Sequence, residues 1–134
     1  MNIHHIGIAV ESLAEAVPVF ELLLGHPPDS AEEVKDQKVR VAVFQVGKSR
    51  IELLEAASPD SPIARFIDKR GPGIHHVALT VDNLQGTLDK LDRHGVRLID
   101  RNPREGAGDG SIAFLHPSST ARILIELIEE PKAD

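Results

Sequence analysis

The chain has 134 residues and a formal net charge of −6, with apolar and charged fractions of 41% and 27%. This composition is ordinary for one globular domain, or for two small fused modules. The acidic balance and the aromatic content of 3% argue against binding to nucleic acid. The chain has no cysteine, which excludes disulfides, thiolate metal sites and a cysteine nucleophile. Any metal ligands are therefore nitrogen and oxygen atoms.

The N-terminus lacks the basic segment and long apolar stretch of a signal peptide. No apolar run approaches the roughly 18 residues that a membrane span requires. We therefore expect a cytoplasmic protein that does not associate with a membrane.

The first half of the chain reads as a strand, a helix and further strands. An apolar strand is predicted over 3–10. The helix after it begins at a capping box on Ser12 and ends at Gly25. Strands are predicted over 39–46 and 50–56, joined by a tight turn.

The second half repeats this order after a connector, 57–73, that carries a short helix beginning at Ser61. A strand over 74–81 and a helix over 84–94 are followed by three more predicted strands, near 97–100, 111–116 and 122–129. We therefore treat residues 1–134 as a single domain of two modules, about 1–56 and about 74–130.

Two histidines and two glutamates occupy matching places in the two halves. His5 and His76 each follow another histidine at the start of an apolar strand and lie 71 residues apart. Glu52 and Glu126 each stand in an Ile-Glu-Leu sequence, 74 residues apart. Strand alternation puts both histidines on a side lined with small residues, which leaves room for a ligand.

Each of these residues also has a structural interpretation, as a hydrogen-bonded histidine or a solvent-facing glutamate. However, a carboxylate inside an apolar strand is costly to bury unless it is paired, hydrogen-bonded or bound to metal. Two matched His–Glu sets therefore favour a two-nitrogen, two-oxygen site for a divalent ion.

The duplicated segments HHIGIAV, IELLE, GIHHVAL and ILIEL resemble the vicinal oxygen chelate superfamily. Within it, the chain resembles methylmalonyl-CoA epimerases over almost its whole length. The stretches that carry this closer resemblance are Gln37-Lys38-Val39, Asp60-Ser61-Pro62-Ile63-Ala64, Gly73-Ile74-His75-His76, Pro103-Arg104-Glu105-Gly106-Ala107 and Phe114-Leu115-His116-Pro117.

The resemblance implies an α+β fold of two tandem βαβββ modules, forming a curved, half-open barrel of eight strands around one metal. It implies that His5, Glu52, His76 and Glu126 are the ligands, with Co²⁺ the expected ion and Mn²⁺ or Zn²⁺ also suitable. It further implies a homodimer that acts in propionate metabolism.

The implied reaction is the interconversion of (R)- and (S)-methylmalonyl-CoA by removal and return of the α-proton. Glu126 is our candidate for one base and Glu52 for the other. The candidates for contact with the acyl-CoA substrate are Arg104, Gly106, Ala107, His116 and Arg122. Further cations for the CoA phosphates are Lys35, Lys38 and Arg40.

The chain departs from its family at two places. Val41 stands where some epimerases carry a glutamate proposed as a base. The loop Ser118-Ser119-Thr120-Ala121-Arg122 replaces one that usually holds a lysine and two glycines.

Three other functions are compatible with this fold. A lactoylglutathione lyase of the glyoxalase I type uses a similar metal site and proton transfer. An Fe(II) dioxygenase has two histidines and one carboxylate, so the fourth ligand Glu52 argues against it. A metal-free module that binds a small molecule usually lacks the ligands.

Overall fold

The computed structural model describes residues 1–106 and 110–131. The chain forms two compact units. The first-half unit comprises His5–His75, and the second-half unit comprises Met1–His4 with His76–Asp134. Among the described residues, no helix is long and apolar enough to cross a membrane.

The first-half unit has the strand order β2-β3-β4-β1. The pair β1–β4 is parallel, whereas β2–β3 and β3–β4 are antiparallel. Its elements are β1 (Asn2–Ala9, which begins in the other unit), α1 (Leu13–Leu24), β2 (Ser30–Val34), β3 (Val39–Val46), β4 (Ser49–Ala56) and α2 (Pro62–Arg70).

The second-half unit has the matching order β5-β8-β7-β6. The pair β5–β8 is parallel, and the remaining pairs are antiparallel. Its elements are β5 (Gly73–Thr80, which begins in the other unit), α3 (Leu84–Arg93), β6 (Arg104–Glu105), β7 (Ser111–Leu115) and β8 (Leu124–Glu129). Each half thus runs strand, helix, three strands, and the predicted α+β fold of two βαβββ modules is confirmed.

Two details of the predicted strands were wrong. The strand predicted near 97–100 is only an isolated bridge between Leu98 and Leu115. The second strand of each module lies in a segment for which the sequence predicted no strand. These strands are β2 in the first half and the two-residue β6 in the second.

Each long helix covers one face of its own strands. In the first-half unit, α1 packs on the face formed by Ile8, Phe44 and Leu53. In the second-half unit, α3 packs on the face that includes Ala113 and Leu127. Because side chains alternate along a strand, residues of the other parity point away from α1 and α3.

A strand glutamate and an N-cap residue together hold the start of each long helix. The Ser12 hydroxyl accepts the Glu15 N–H at 3.3 Å, as predicted. A Glu55 oxygen at the end of β4 accepts the Leu13 N–H at 3.0 Å. In the second half, Asn83 caps α3, and Glu129 at the end of β8 accepts the Leu84 N–H at 2.8 Å. The duplication therefore extends to how the helices are fixed to the strands.

Candidate metal centre

In the first-half unit, β1 and β4 bring His5 and Glu52 together. The two strands are parallel neighbours in which Gly7 is the register partner of Glu52, so His5, Gly7 and Glu52 share one face. His5 Nδ1 lies 3.6 Å from Glu52 Oε2. The His5 side chain is 8% exposed and that of Glu52 is 20% exposed, so both donors are largely shielded from water.

In the second-half unit, β5 and β8 repeat the arrangement with His76 and Glu126. Ala78 is the register partner of Glu126, which puts all three residues on the face that turns away from α3. His76 Nε2 lies 3.8 Å from Glu126 Oε1, and each side chain is 12% exposed. The structure therefore pairs the predicted ligands as one histidine with one glutamate in each unit.

The spacing of each pair suits shared coordination. Two atoms that are each about 2.1 Å from one divalent ion lie about 3.0–3.5 Å apart in octahedral or tetrahedral geometry. The observed separations of 3.6 and 3.8 Å need only small adjustments to reach that range. Imidazole nitrogen and carboxylate oxygen are donors for Zn²⁺, Co²⁺ or Mn²⁺. The residues present are consistent with a divalent metal site.

Burial raises the pKa of Glu52, and the positive charge of Arg50 opposes this shift. Arg50 lies two residues away on the same strand and therefore on the same face. A carboxyl group with a raised pKa is better matched to proton transfer near neutral pH than a solvated one.

In the first-half unit, α2 closes one end of the face that carries His5 and Glu52. Ala9 and Ala78 are fully buried. Ile63 of α2, with Phe66 and Ile67, packs against Ala9, Val39, Val41 and Leu54. Val41 points to this face and lies in that apolar cluster. Its hydrocarbon side chain cannot act as a base.

The predicted substrate residues have different surroundings. Arg104 lies beside Asp100 and Phe114. A Cβ on Gly106 would lie 2.6 Å from an Ile112 side-chain atom, which explains the glycine there. Ala107 lies outside the described residues. His116 Nδ1 accepts the Ser118 N–H at 3.0 Å, and Arg122 follows in the same turn.

Two of the further cations predicted for CoA phosphates are already paired with carboxylates. Lys38 donates to Asp60, and this bond together with one from Ser58 lowers the pKa of Asp60 to about 2. Arg40 donates to Glu55 at 2.8 Å and lies 3.5 Å from Glu33.

Asp100 and Phe114 were not predicted as site residues. Asp100 lies in a loop, and no local sequence pattern indicates its contacts with Arg104 and Phe114. The sequence did offer a signal for Phe114, because it stands in the Phe-Leu-His-Pro stretch. Alternation along the strand also puts it on the face that turns away from α3.

A family model for the glyoxalase/bleomycin resistance protein/dioxygenase superfamily matches residues 4–114. The chain is 44% identical to the uncharacterized protein YqjC of Bacillus subtilis, over 99% of this chain and 94% of that one. It is 32% identical to the ethylmalonyl-CoA/methylmalonyl-CoA epimerase of Cereibacter sphaeroides, over 94% and 96%. It is 31% identical to human mitochondrial methylmalonyl-CoA epimerase, over 94% and 72%.

Solved structures of methylmalonyl-CoA epimerases are also similar to this chain. The methylmalonyl-CoA epimerase of Mycobacterium tuberculosis superimposes with a TM-score of 0.83 at 36% identity, covering 97% of this chain and 88% of that one. A variant of the Streptomyces coelicolor epimerase in complex with 2-nitronate-propionyl-CoA has a TM-score of 0.85 at 29% identity, with coverage of 100% and 97%.

Proposed function

Because the chain belongs to the glyoxalase/bleomycin resistance protein/dioxygenase superfamily, and within it to the methylmalonyl-CoA epimerase family of enzymes, we propose that it interconverts (R)- and (S)-methylmalonyl-CoA. The observation that carries this proposal is the His–Glu pair present in each unit, 3.6 Å apart in one and 3.8 Å in the other. Such pairs offer both metal ligands and proton-transfer groups.

We assign His5, Glu52, His76 and Glu126 as the ligands of one divalent ion, with Co²⁺ the first choice and Mn²⁺ or Zn²⁺ as alternatives. When bound, the ion would act as a Lewis acid toward the thioester and carboxylate oxygens of the substrate. Gly7 and Ala78 lie on the faces of these ligands, and their small size would leave room for the acyl group, whereas Ala9 is covered by α2.

Inversion at the α-carbon requires removal of its proton from one face and return of a proton to the other. Glu126 is the proposed base on one side, next to His76. Glu52 is the candidate on the other side, next to His5.

The proposed substrate class is an acyl-CoA. Contacts from Arg104, Gly106, Ala107, His116 and Arg122 remain predictions. A homodimer in the cytoplasm, with a role in propionate metabolism, also remains part of the proposal. Sedimentation of the purified protein tests the oligomeric state.

The proposal is tested by exchange of the α-proton of methylmalonyl-CoA with deuterium from D₂O, followed by NMR. Glu126→Gln keeps the size and hydrogen-bonding shape of the side chain but cannot take the proton. We expect the exchange rate to fall about 10²–10⁴-fold, which is the usual contribution of general acid–base catalysis.

The matched control is Glu130→Gln, because Glu130 is exposed just beyond the end of β8. It removes the same charge and should exchange at the wild-type rate. Wild-type exchange by the Glu126 variant would exclude Glu126 as a base. If the unaltered protein exchanged nothing, the epimerase proposal itself would be wrong.

A further inference from the structure

Arg104 lies on the same face of the second-half unit as Glu126. In the antiparallel pair β6–β7, Arg104 is directly opposite Ile112. Phe114 lies two residues further along β7, with the same side-chain direction, and is directly opposite Glu126. Opposed residues in antiparallel strands share a face, so Arg104, Phe114 and Glu126 all point away from α3.

Two contacts hold the Arg104 guanidinium in place. Its Cζ lies 5.2 Å from the centre of the Phe114 ring, within the range of a cation–π interaction. Its Nε lies 3.4 Å from Asp100 Oδ2. That same oxygen accepts the Phe114 N–H at 2.8 Å, so Asp100 ties the arginine to the strand on which it rests.

The guanidinium group thus lies over the ring of Phe114, which is the residue directly opposite Glu126 on the neighbouring strand. Directly opposed residues of antiparallel strands lie only about 4.5–5.5 Å apart at Cα. The Arg104 side chain is still 55% exposed, and its planar fork of donors matches a carboxylate. An anion bound there would sit near the reacting end of a ligand held at Glu126.

We propose that Arg104 binds the acyl carboxylate together with the ion and so helps select carboxylated acyl-CoA esters over simple ones, with Asp100 and Phe114 as its positioning residues. This inference rests on the proposed function. The CoA phosphates are the less suitable anion for Arg104, because the whole pantetheine arm separates them from the α-carbon.

The test compares the binding of methylmalonyl-CoA and propionyl-CoA by calorimetry, in one buffer containing Co²⁺. The two esters differ only in the carboxylate. In Arg104→Gln, affinity for methylmalonyl-CoA should fall about 10–100-fold, as expected for a lost charge-assisted hydrogen bond. Affinity for propionyl-CoA should stay within about two-fold.

Arg101→Gln is the matched control, because Arg101 is 76% exposed and pairs with Asp92. It removes the same charge three residues away and should leave both affinities unchanged. Arg104→Lys, which keeps the charge and loses the fork, should lie between wild type and Arg104→Gln. It also provides a folded variant if Arg104→Gln does not fold.

Asp100→Asn should lower affinity for methylmalonyl-CoA selectively and less than Arg104→Gln does. An equal loss for both esters in Arg104→Gln would place Arg104 on the CoA portion, and no loss would remove it from the site. Either result overturns the inference. If the protein discriminates the esters through Arg104 but exchanges no α-proton, the inference stands and the epimerase proposal fails.

Discussion

Ala121 and Arg122 are consecutive non-glycine residues with left-handed backbones, at φ 56° and 67°. A side chain costs roughly 1–2 kcal/mol in this region because Cβ approaches the backbone. Hydrogen bonds within the turn between β7 and β8 hold both residues in this strained conformation. Arg122 N–H donates to the Pro117 carbonyl at 2.8 Å, and Ile123 N–H donates to that of Thr120 at 3.0 Å.

Replacing Ala121 by glycine should raise the free energy of unfolding by about 0.5–1 kcal/mol, because relief of the strain exceeds the extra entropy that glycine loses on folding. Urea denaturation measures the change. Ala14→Gly, at an exposed position in α1, is the control and should lower stability by up to about 1 kcal/mol. A loss of stability in Ala121→Gly would contradict the strain at this position.

Each strand that carries a glutamate of a His–Glu pair also fixes a helix. Glu52 and Glu126 face the candidate site, and the glutamates three positions later point to the other side. There Glu55 and Glu129 accept the first N–H groups of α1 and α3. A carboxylate at a helix N-terminus is further stabilised by the helix dipole.

Removal of this contact by Glu129→Ala should lower the free energy of unfolding by about 1–3 kcal/mol, since it leaves the part-buried Leu84 N–H without its charged acceptor. Glu130→Ala, one residue further along, should stay within about 0.5 kcal/mol of wild type. Equal stability of the two variants in chemical denaturation would show that the Glu129 contact adds nothing.

The sequence was informative where local patterns determine structure. Apolar alternation identified β1, β3, β4 and β5, and capping residues located the starts of α1 and α2. It did not identify β2, because Ser-Ala-Glu-Glu-Val has no apolar face and the segment becomes a strand only by pairing with β3. Likewise, the matched repeat identified the four candidate ligands, whereas Asp100 is defined by a long-range bond to Phe114.

The two units supply equivalent halves of the proposed chemistry. Each has a parallel strand pair that carries one histidine and one glutamate on the face opposite its long helix. Their outer parts differ. In the first-half unit α2 covers part of the ligand face with apolar side chains, and in the second-half unit β6 and β7 place Arg104 and Phe114 there.

Our hypothesis is that these paired residues bind a divalent ion needed for α-proton exchange. Its most direct test measures deuterium exchange of methylmalonyl-CoA with the purified protein in three states. These are the protein before treatment with a chelator, the protein after the chelator has removed the metal and has itself been removed, and the same protein after addition of Co²⁺. We predict exchange before chelation, loss of at least about 100-fold after it, and recovery with Co²⁺. Exchange that continues unchanged in the metal-depleted protein would contradict it.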